Sequence, residues 1–474
     1  MLEHFENRVG GNASNERSSV RIVVTGVIID LLHRFAQAED RLPRRIPRRQ
    51  LTLRVWADRR AWAALLKGKR ALAEGGRELC RLIKKNNSGT YFMIAAVGIL
   101  LALPRPAFAQ HERRASALAP VAKGTFVVSR FGAKCDGITD DTKAFQAALD
   151  AAGARCETRG AYVSAGFQTV LVPDGAICKV NSGLTDRRSD CVGIASYAGA
   201  TIDFRGLASG QTALTLRHLA YGAYSGNVAR FENIQMIGPG RSSKTTAIAS
   251  ETPNTTYRQY NIAGFGHGYE VHNGSWLNHF VNTSISDCDV DLYCGSGLKD
   301  AGEQISFEAG TLFNSGQGIE NDSCEFNISD SSLDEFTGPA VVNGGGSTRL
   351  NSDHIEYVNS TASEPLMVSS KACNAWGSIT MEGGQIQFDH TAPKALARND
   401  GGPGPCGGGG WGSYIRISNV FLGNIPMNSN GAPVVTGSNS SQIAVCHATK
   451  GDGGGAMGNV PNIGRANLPN QGQC

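Results

Sequence analysis

Carboxylates recur at one place in a repeated pattern late in the chain. Four runs share the form apolar, four residues, apolar: Ile328/Leu333, Leu350/Ile355, Met381/Ile386 and Ile417/Leu422, whose starts step by 22, 31 and 36 residues. The residue after the second apolar position is Asp334, Glu356 and Gln387 in the first three, and taking Ile285/Val290 as an earlier pair adds Asp291. Side chains alternate across a strand, so the neighbour of an inward Leu333 or Ile355 faces outward. If the runs stack as rungs ~4.8 Å apart, Asp334 and Glu356 form an outward pair separated by something of order 5 Å. Retaining glycosidases use ~5–5.5 Å, and a loop detour would widen the pair toward the inverting spacing. Crowding two carboxylates raises one pKa, as a general acid requires. Glu335, Asp330, Asp353 and His354 lie alongside, His354 as a catalytic helper. The competing reading is that these carboxylates are simply a solvated outer face.

A second patch spans 264–278, GFGHGYEVHNGSWLN. His267, Tyr269, His272 and Trp276 mix imidazoles with aromatic rings on which a sugar can stack while polar groups orient it. The plainer alternative is a turn-rich loop whose aromatics fill the interior. Asp287, Asp289 and Asp291 offer oxygen ligands of the kind calcium takes, but alternate residues of one strand share a face without converging. There is no CxxC pair and no Cys/His spacing for zinc, so no metal site and no cofactor are expected, with calcium entering only if the chemistry were a lyase's.

The elements that must position these groups are short alternating strands: ATIDFRG, ARFENIQMIG, EQISFEAGTLFN, TRLNSDHIEYVN, GSITMEGGQIQFD and SYIRISNVFLGN among them. Such runs bury their apolar side only by stacking on neighbours, as solenoid rungs do, and 59 glycines suit a turn-rich β protein. The N-terminal part differs. Asp140 and Asp141 stand before Thr142, where either can cap a helix. Ala144, Phe145, Ala148, Leu149 and Ala152 fall on one face of that helix, and Gly153 stands at its C-terminal end. Val170-Leu171-Val172 is a short strand, and Pro173-Asp174-Gly175 a turn.

The strings FGAKCDGITDDTKAFQAAL and VLVPDGA resemble the N-terminal signature of the pectate-lyase-like superfamily, in the branch of rhamnogalacturonases, epimerase-like proteins and tailspikes. The first string is long enough to be fairly specific; the two cover some fifty residues, and Ile177 departs from an aromatic common in relatives. The resemblance implies an all-β fold, a single-stranded right-handed parallel β-helix with a short N-terminal capping helix, acting on polysaccharide. It also implies that Asp140 and Asp141 close the end of the solenoid and do no chemistry. The polygalacturonase pattern is missing: His267-Gly268 precedes the acidic cluster, the one Asp-Asp is the cap, and no Arg-x-Lys follows. Tailspike relatives are trimers, so a homotrimer is an expected partner state.

Residues 82–109 read as a signal peptide, with Lys84 and Lys85 ahead of an apolar stretch and a small-x-small site at Ala107-Phe108-Ala109. About eighty Arg-rich residues precede it, which suggests a miscalled start near Leu82 or a basic extension; a cytoplasmic basic segment is the alternative. Residues 1–109 hold 20 Lys+Arg against 9 Asp+Glu, so a whole-chain charge of +4 becomes −7 for the rest. A mildly acidic body argues against nucleic acid as partner, and no membrane span is expected once the signal is removed. Eleven cysteines follow the cleavage site and read as disulfides of a secreted or periplasmic protein, with one left over. Local pairings would be Cys135–Cys156, Cys178–Cys191, Cys288–Cys294 and Cys446–Cys474. The β-helix is set at 110–445, with an excursion at 399–412 and a Gly-rich tail at 446–474. The function expected is glycosidic hydrolysis by Asp334 and Glu356, with a polysaccharide lyase, a glycan-binding module or a structural spike as rivals.

Overall fold

Alternating side chains and short strands leave each run with one apolar edge and nothing of its own to cover it, and the chain solves this by winding. The computed structural model describes residues 124–463 apart from 157, 160–161, 164–166, 219–228, 359–362, 369–376, 402–412, 439 and 452–457. Residues Pro120–Cys474 form one compact unit. The extension 1–81, the signal segment 82–109, most of the 399–412 excursion and the end of the tail lie outside the described residues. The unit is a right-handed parallel β-helix with three faces. The first face runs from Thr125–Val127 through Glu325–Ser329 and Ser347–Asn351 to Ile443–Cys446. The second runs through Ser284–Ser286, Ser332–Asp334 and His354–Tyr357 to Thr449–Gly451. The third is a separate ten-stranded sheet from Leu184–Asp186 to Val435–Thr436.

The repeating pattern holds in register. Ile328, Leu350, Met381 and Ile417 pair along the first face, and Leu333, Ile355, Ile386 and Leu422 along the second. All eight are buried, each contributing ~1.5–3 kcal/mol on the transfer scale. Toward the N-terminus the first stack becomes aromatic: Phe231 stacks on Tyr257 at 5.2 Å, and Tyr257 on Phe280 at 4.4 Å with rings 8° apart.

One left-handed residue per rung turns the chain from the first face to the second: Gln259, Asn282, Ala309, Asp330, Ser352, Gly383 and Asn419 all have φ between 49° and 71°. The residue after five of the seven is buried: Tyr260, Thr283, Ser331, Asp353 and Val420. A second left-handed series, Asp287, Asn314, Glu335 and Asn424, leaves the second face. Stacked corners of fixed length are what keep one rung in register with the next.

The helix Thr142–Gly153 buries Phe145, Ala148, Leu149 and Ala152 against the first rungs. Asp140 receives the Thr142 amide at 3.1 Å, while Asp141 folds back to accept Lys134 and Cys135 amides at 2.6 and 2.9 Å. At the other end the parallel ladder continues through Gly451, and Gly458–Asn459 returns antiparallel to it, closing the last edge. The disulfides are Cys135–Cys178, Cys156–Cys191 and Cys294–Cys324. The local pairings Cys135–Cys156, Cys178–Cys191 and Cys288–Cys294 are therefore corrected: each bond joins residues at least 30 apart in sequence, because winding brings distant positions together. Cys446 is disulfide-bonded, Cys474 lies outside the described residues, and Cys288 is a buried free thiol. Such bonds fit an oxidising compartment. Among the described residues no helix is long and apolar enough to cross a membrane.

Candidate functional site

On the second face the outward positions of successive rungs form two columns. One carries Ser284, Thr311, Ser332, His354, Gln385 and Phe421; the other carries Ser286, Phe313, Asp334, Glu356, Gln387 and Gly423. Asp334 and Glu356 are thus register partners on adjacent rungs, with His354 between them and one column across. Asp334 Oδ2 accepts the Ser332 hydroxyl at 2.6 Å, and its Oδ1 lies 3.8 Å from His354 Nδ1. His354 Nδ1 also meets Ser332 Oγ at 3.3 Å. Asp334 Oδ1 and His354 Nε2 are buried without a hydrogen bond.

Burial raises the Asp334 carboxyl above its ordinary range, opposed by the Ser332 hydroxyl and His354. Burial likewise raises Glu356, opposed by His354 and reinforced by the nearby carboxylates Asp389, Asp334 and Glu335. Two carboxyls held toward protonation beside an imidazole are equipped for proton transfer. Phe313 and Phe421 occupy outward positions on either side of the pair, one rung before Asp334 and two rungs after Glu356, and each is half-buried. Phe313 shares the Asp334 column and Phe421 the His354 column; the sequence pattern, followed through its acids, singled out neither these aromatic flanks nor Ser332.

The remaining acidic candidates do other work. Asp330 and Glu335 are corner residues with left-handed φ of 51° and 60°, and Glu335 accepts the Val358 amide at 2.8 Å. Asp353 is the buried residue of the next corner; its two oxygens accept the Ser331 and Asn351 amides, each at 2.8 Å. Its burial pushes the carboxyl up to about 7, but it faces the interior and not a ligand. Asp291 does not join the column. Ile285 pairs with Leu312, which in turn pairs with Leu333, so Ile285 belongs to the second stack, and Ser286 takes the outward place. Asp291 is fully buried on the third face, bonded to Ser315 at 2.6 Å. Asp287 is a corner, so Asp287, Asp289 and Asp291 do not converge on a cation.

Among the described residues two groups have ligand atoms close enough for a metal ion. Cys135, Asp141 and Cys178 are spoken for, since the cysteines are bonded to each other. Asp334, His354 and Glu356 offer atoms all within 4.8 Å of one another; two carboxylates with an imidazole suit zinc or manganese better than calcium.

The second patch is on the third face, so it does not join this site. His267 and His272 are partly exposed and clasp Glu270, at 3.1 and 3.2 Å, while Thr246 donates to it at 2.8 Å. His267 stacks on Tyr293 at 4.2 Å. The hydrogen bonds from His267, His272 and Thr246 outweigh burial and hold Glu270 well below the usual carboxylate range, and its charge raises His272. Tyr269 and Trp276 are corrections: both are buried, with Tyr269 packed edge-on to Tyr257 and Phe280, so neither offers a ring to a sugar. Glu270 is the residue the sequence reading passed over.

No protein-family model matches the chain, and no curated protein sequence does. Among solved structures, a protein of Geobacillus virus E2 (ORF18) is 13% identical, with TM-score 0.45 over 71% of this chain and 63% of that one. The tailspike of Acinetobacter phage vB_ApiP_P1 is 13% identical, with TM-score 0.46 over 75% of this chain and 66% of its own. The A-module of the mannuronan C-5 epimerase AlgE6 of Azotobacter vinelandii is 17% identical, with TM-score 0.36 over 69% and 94%. The chain spans under two thirds of the length of the first two. The strand pairings establish the parallel β-helix without them.

Proposed function

We propose that this protein hydrolyses a polysaccharide on its second face, outside the cytosol. The observation that carries the reading is the pairing of Asp334 with Glu356 on adjacent rungs, both raised by burial, with His354 against them. The spacing of the two rungs, ~4.8 Å, favours the retaining arrangement over the wider inverting one. At Asp334 the Ser332 hydroxyl and His354 oppose the rise that burial causes, which suits it better than Glu356 to the nucleophile. Glu356, with no hydrogen bond to its carboxyl among the described residues, suits the general acid that protonates the leaving oxygen and then activates water. Phe313 and Phe421 would carry sugar rings on either side.

The test uses the full chain, oxidised, with acidic and neutral polysaccharides. New reducing ends are followed together with ultraviolet absorbance from unsaturated sugars. Reducing ends without absorbance, abolished in Asp334→Asn and Glu356→Gln, support the reading; both signals rising together reject it.

A second reading, β-elimination, is favoured by the Asp334/His354/Glu356 trio as a potential cation site. In that case chelator abolishes the absorbance signal and a divalent ion restores it. A trimer, the assembly that the resemblance implies, is checked by sedimentation of the same sample.

A further inference from the structure

A cavity of about 550 Å3 opens on the first face near the N-terminal end, inside the ~300–1,000 Å3 range of ligand sites. Its floor is small: Thr169, Gly193 and Ala195. Gly193 can carry no side chain, because a Cβ would meet the Arg230 carbonyl at 2.1 Å. Its walls are Phe167 and Tyr197, which are 38% and 73% exposed. An aromatic ring left in water is costly to keep, and here the backbone under it is fixed. Asp174 Oδ1 receives the Ser196 hydroxyl and the Tyr197 and Ala198 amides at 2.8, 2.9 and 2.9 Å. Asn233, left-handed at φ 56°, ties its side chain to the Ser196 carbonyl at 2.9 Å. Arg230 and Glu232 also line the cavity, yet among the described residues neither forms an ion pair.

We propose that this cavity is a second glycan subsite, separate from the carboxylate pair. Tyr197 and Phe167 take the apolar face of a sugar ring, and Arg230 and Glu232 bind its hydroxyl or carboxyl groups. A rigid aromatic wall with unpaired polar groups opposite is the arrangement that recognises a ring with one greasy face and a polar rim. Four rungs separate Glu232 from Ser329, the residue just before the corner that leads to Ser332, about 19 Å at ~4.8 Å per rung. A chain held here would reach the carboxylate pair only through several sugar units, so the subsite anchors a polymer. The inference rests on the glycan reading above, but on none of its residues.

The experiment is native affinity electrophoresis of the full chain through gels containing polygalacturonate, alginate, xylan or dextran. Retardation is expected in at least one gel. Tyr197→Ala should weaken it about tenfold, roughly 1.4 kcal/mol, and Tyr197→Phe should restore it. The double variant Asp334→Asn/Glu356→Gln should be retarded as the parent is. Thermal melts confirm that each variant folds. The subsite is overturned if no gel retards the protein, or if Tyr197→Ala and Phe167→Ala both run as the parent in a gel that does. Retardation dependent on Tyr197 without any cleavage keeps the subsite and removes the hydrolase reading. Cleavage with retardation unchanged in both Tyr197→Ala and Phe167→Ala does the reverse.

Discussion

Gly383 and Gly384 form one corner between the first and second faces, immediately before the strand that pairs with His354 and Glu356. Alanine at the two positions should behave very differently. Both have positive φ, 71° and 81°, so each pays ~1–2 kcal/mol for the left-handed backbone. At Gly383 an added Cβ meets nothing nearer than Ser352 Oγ at 3.6 Å, ordinary contact. At Gly384 it would lie 2.0 Å from the Asp353 carbonyl oxygen and 2.7 Å from the Asp353 amide nitrogen. Backbone cannot rotate away as a side chain can, so the corner must open. Overpacking of this kind adds ~1–3 kcal/mol. Gly384→Ala should therefore lose about 2–5 kcal/mol, and Gly383→Ala about 1–2. Urea unfolding of both variants, followed by circular dichroism, reads the difference as a separation of midpoints. Equal midpoints would refute the claim that stacked backbone, and not φ alone, fixes this corner.

Glu270→Gln should destabilise most between pH about 4.3 and just above 6.5, the ordinary Glu and His values. The depressed Glu270 contributes stability above the first, lost as pH falls, and the raised His272 contributes below the second, lost as pH rises through its folded value. Melts at pH 3.5, 5.5 and 8.5 check this, and an equal loss at all three excludes it. Replacing Cys294 and Cys324 by serine opens a link across 30 residues, which the chain-entropy model values at ~3–4 kcal/mol; the melting temperature should fall, and reductant should lower it further through Cys135–Cys178 and Cys156–Cys191, whereas an unchanged melting temperature would exclude the contribution. Asp174→Ala removes three hydrogen bonds to one carboxylate oxygen. Two of the three donors are exposed, so the loss should be ~1–3 kcal/mol, with glycan retardation weakened although no ligand contact was deleted. Unchanged retardation would mean that Tyr197 does not depend on that turn.

The repeat was legible because its corner keeps one length from Phe231 onward, after a longer one in the first two rungs. Leu333 follows Ile328 by five positions, and Ile355 follows Leu350 by the same five, so Asp334 and Glu356 could be placed side by side from spacing alone. The same rule misled at Ile285/Val290, which copies the interval by chance across a different corner and so put Asp291 on the wrong face. Asp330 and Glu335 stand at left-handed corners and Asp353 ties down the amides of Ser331 and Asn351; nothing in composition separates such backbone uses from catalysis. Tyr269 and Trp276 looked available because an aromatic-rich string does not say which alternate positions face inward. Disulfide partners and the Tyr197 cavity depend on which rungs become neighbours on one face, information that local pattern does not hold.

The constant corner gives the solenoid a hard edge and two soft ones. Spacings between rungs grow from 22 to 36 residues, yet none of that growth falls between the first and second faces. It goes into the stretches of chain on either side of the third-face strands Leu366–Val368 and Ala397–Asn399. From Phe231 onward the interval at the hard edge is held at five positions, while the chain between rungs lengthens only at the soft edges. The track along the first two faces is thus a fixed ruler, and variation between rungs is written in the chain that leaves it and returns.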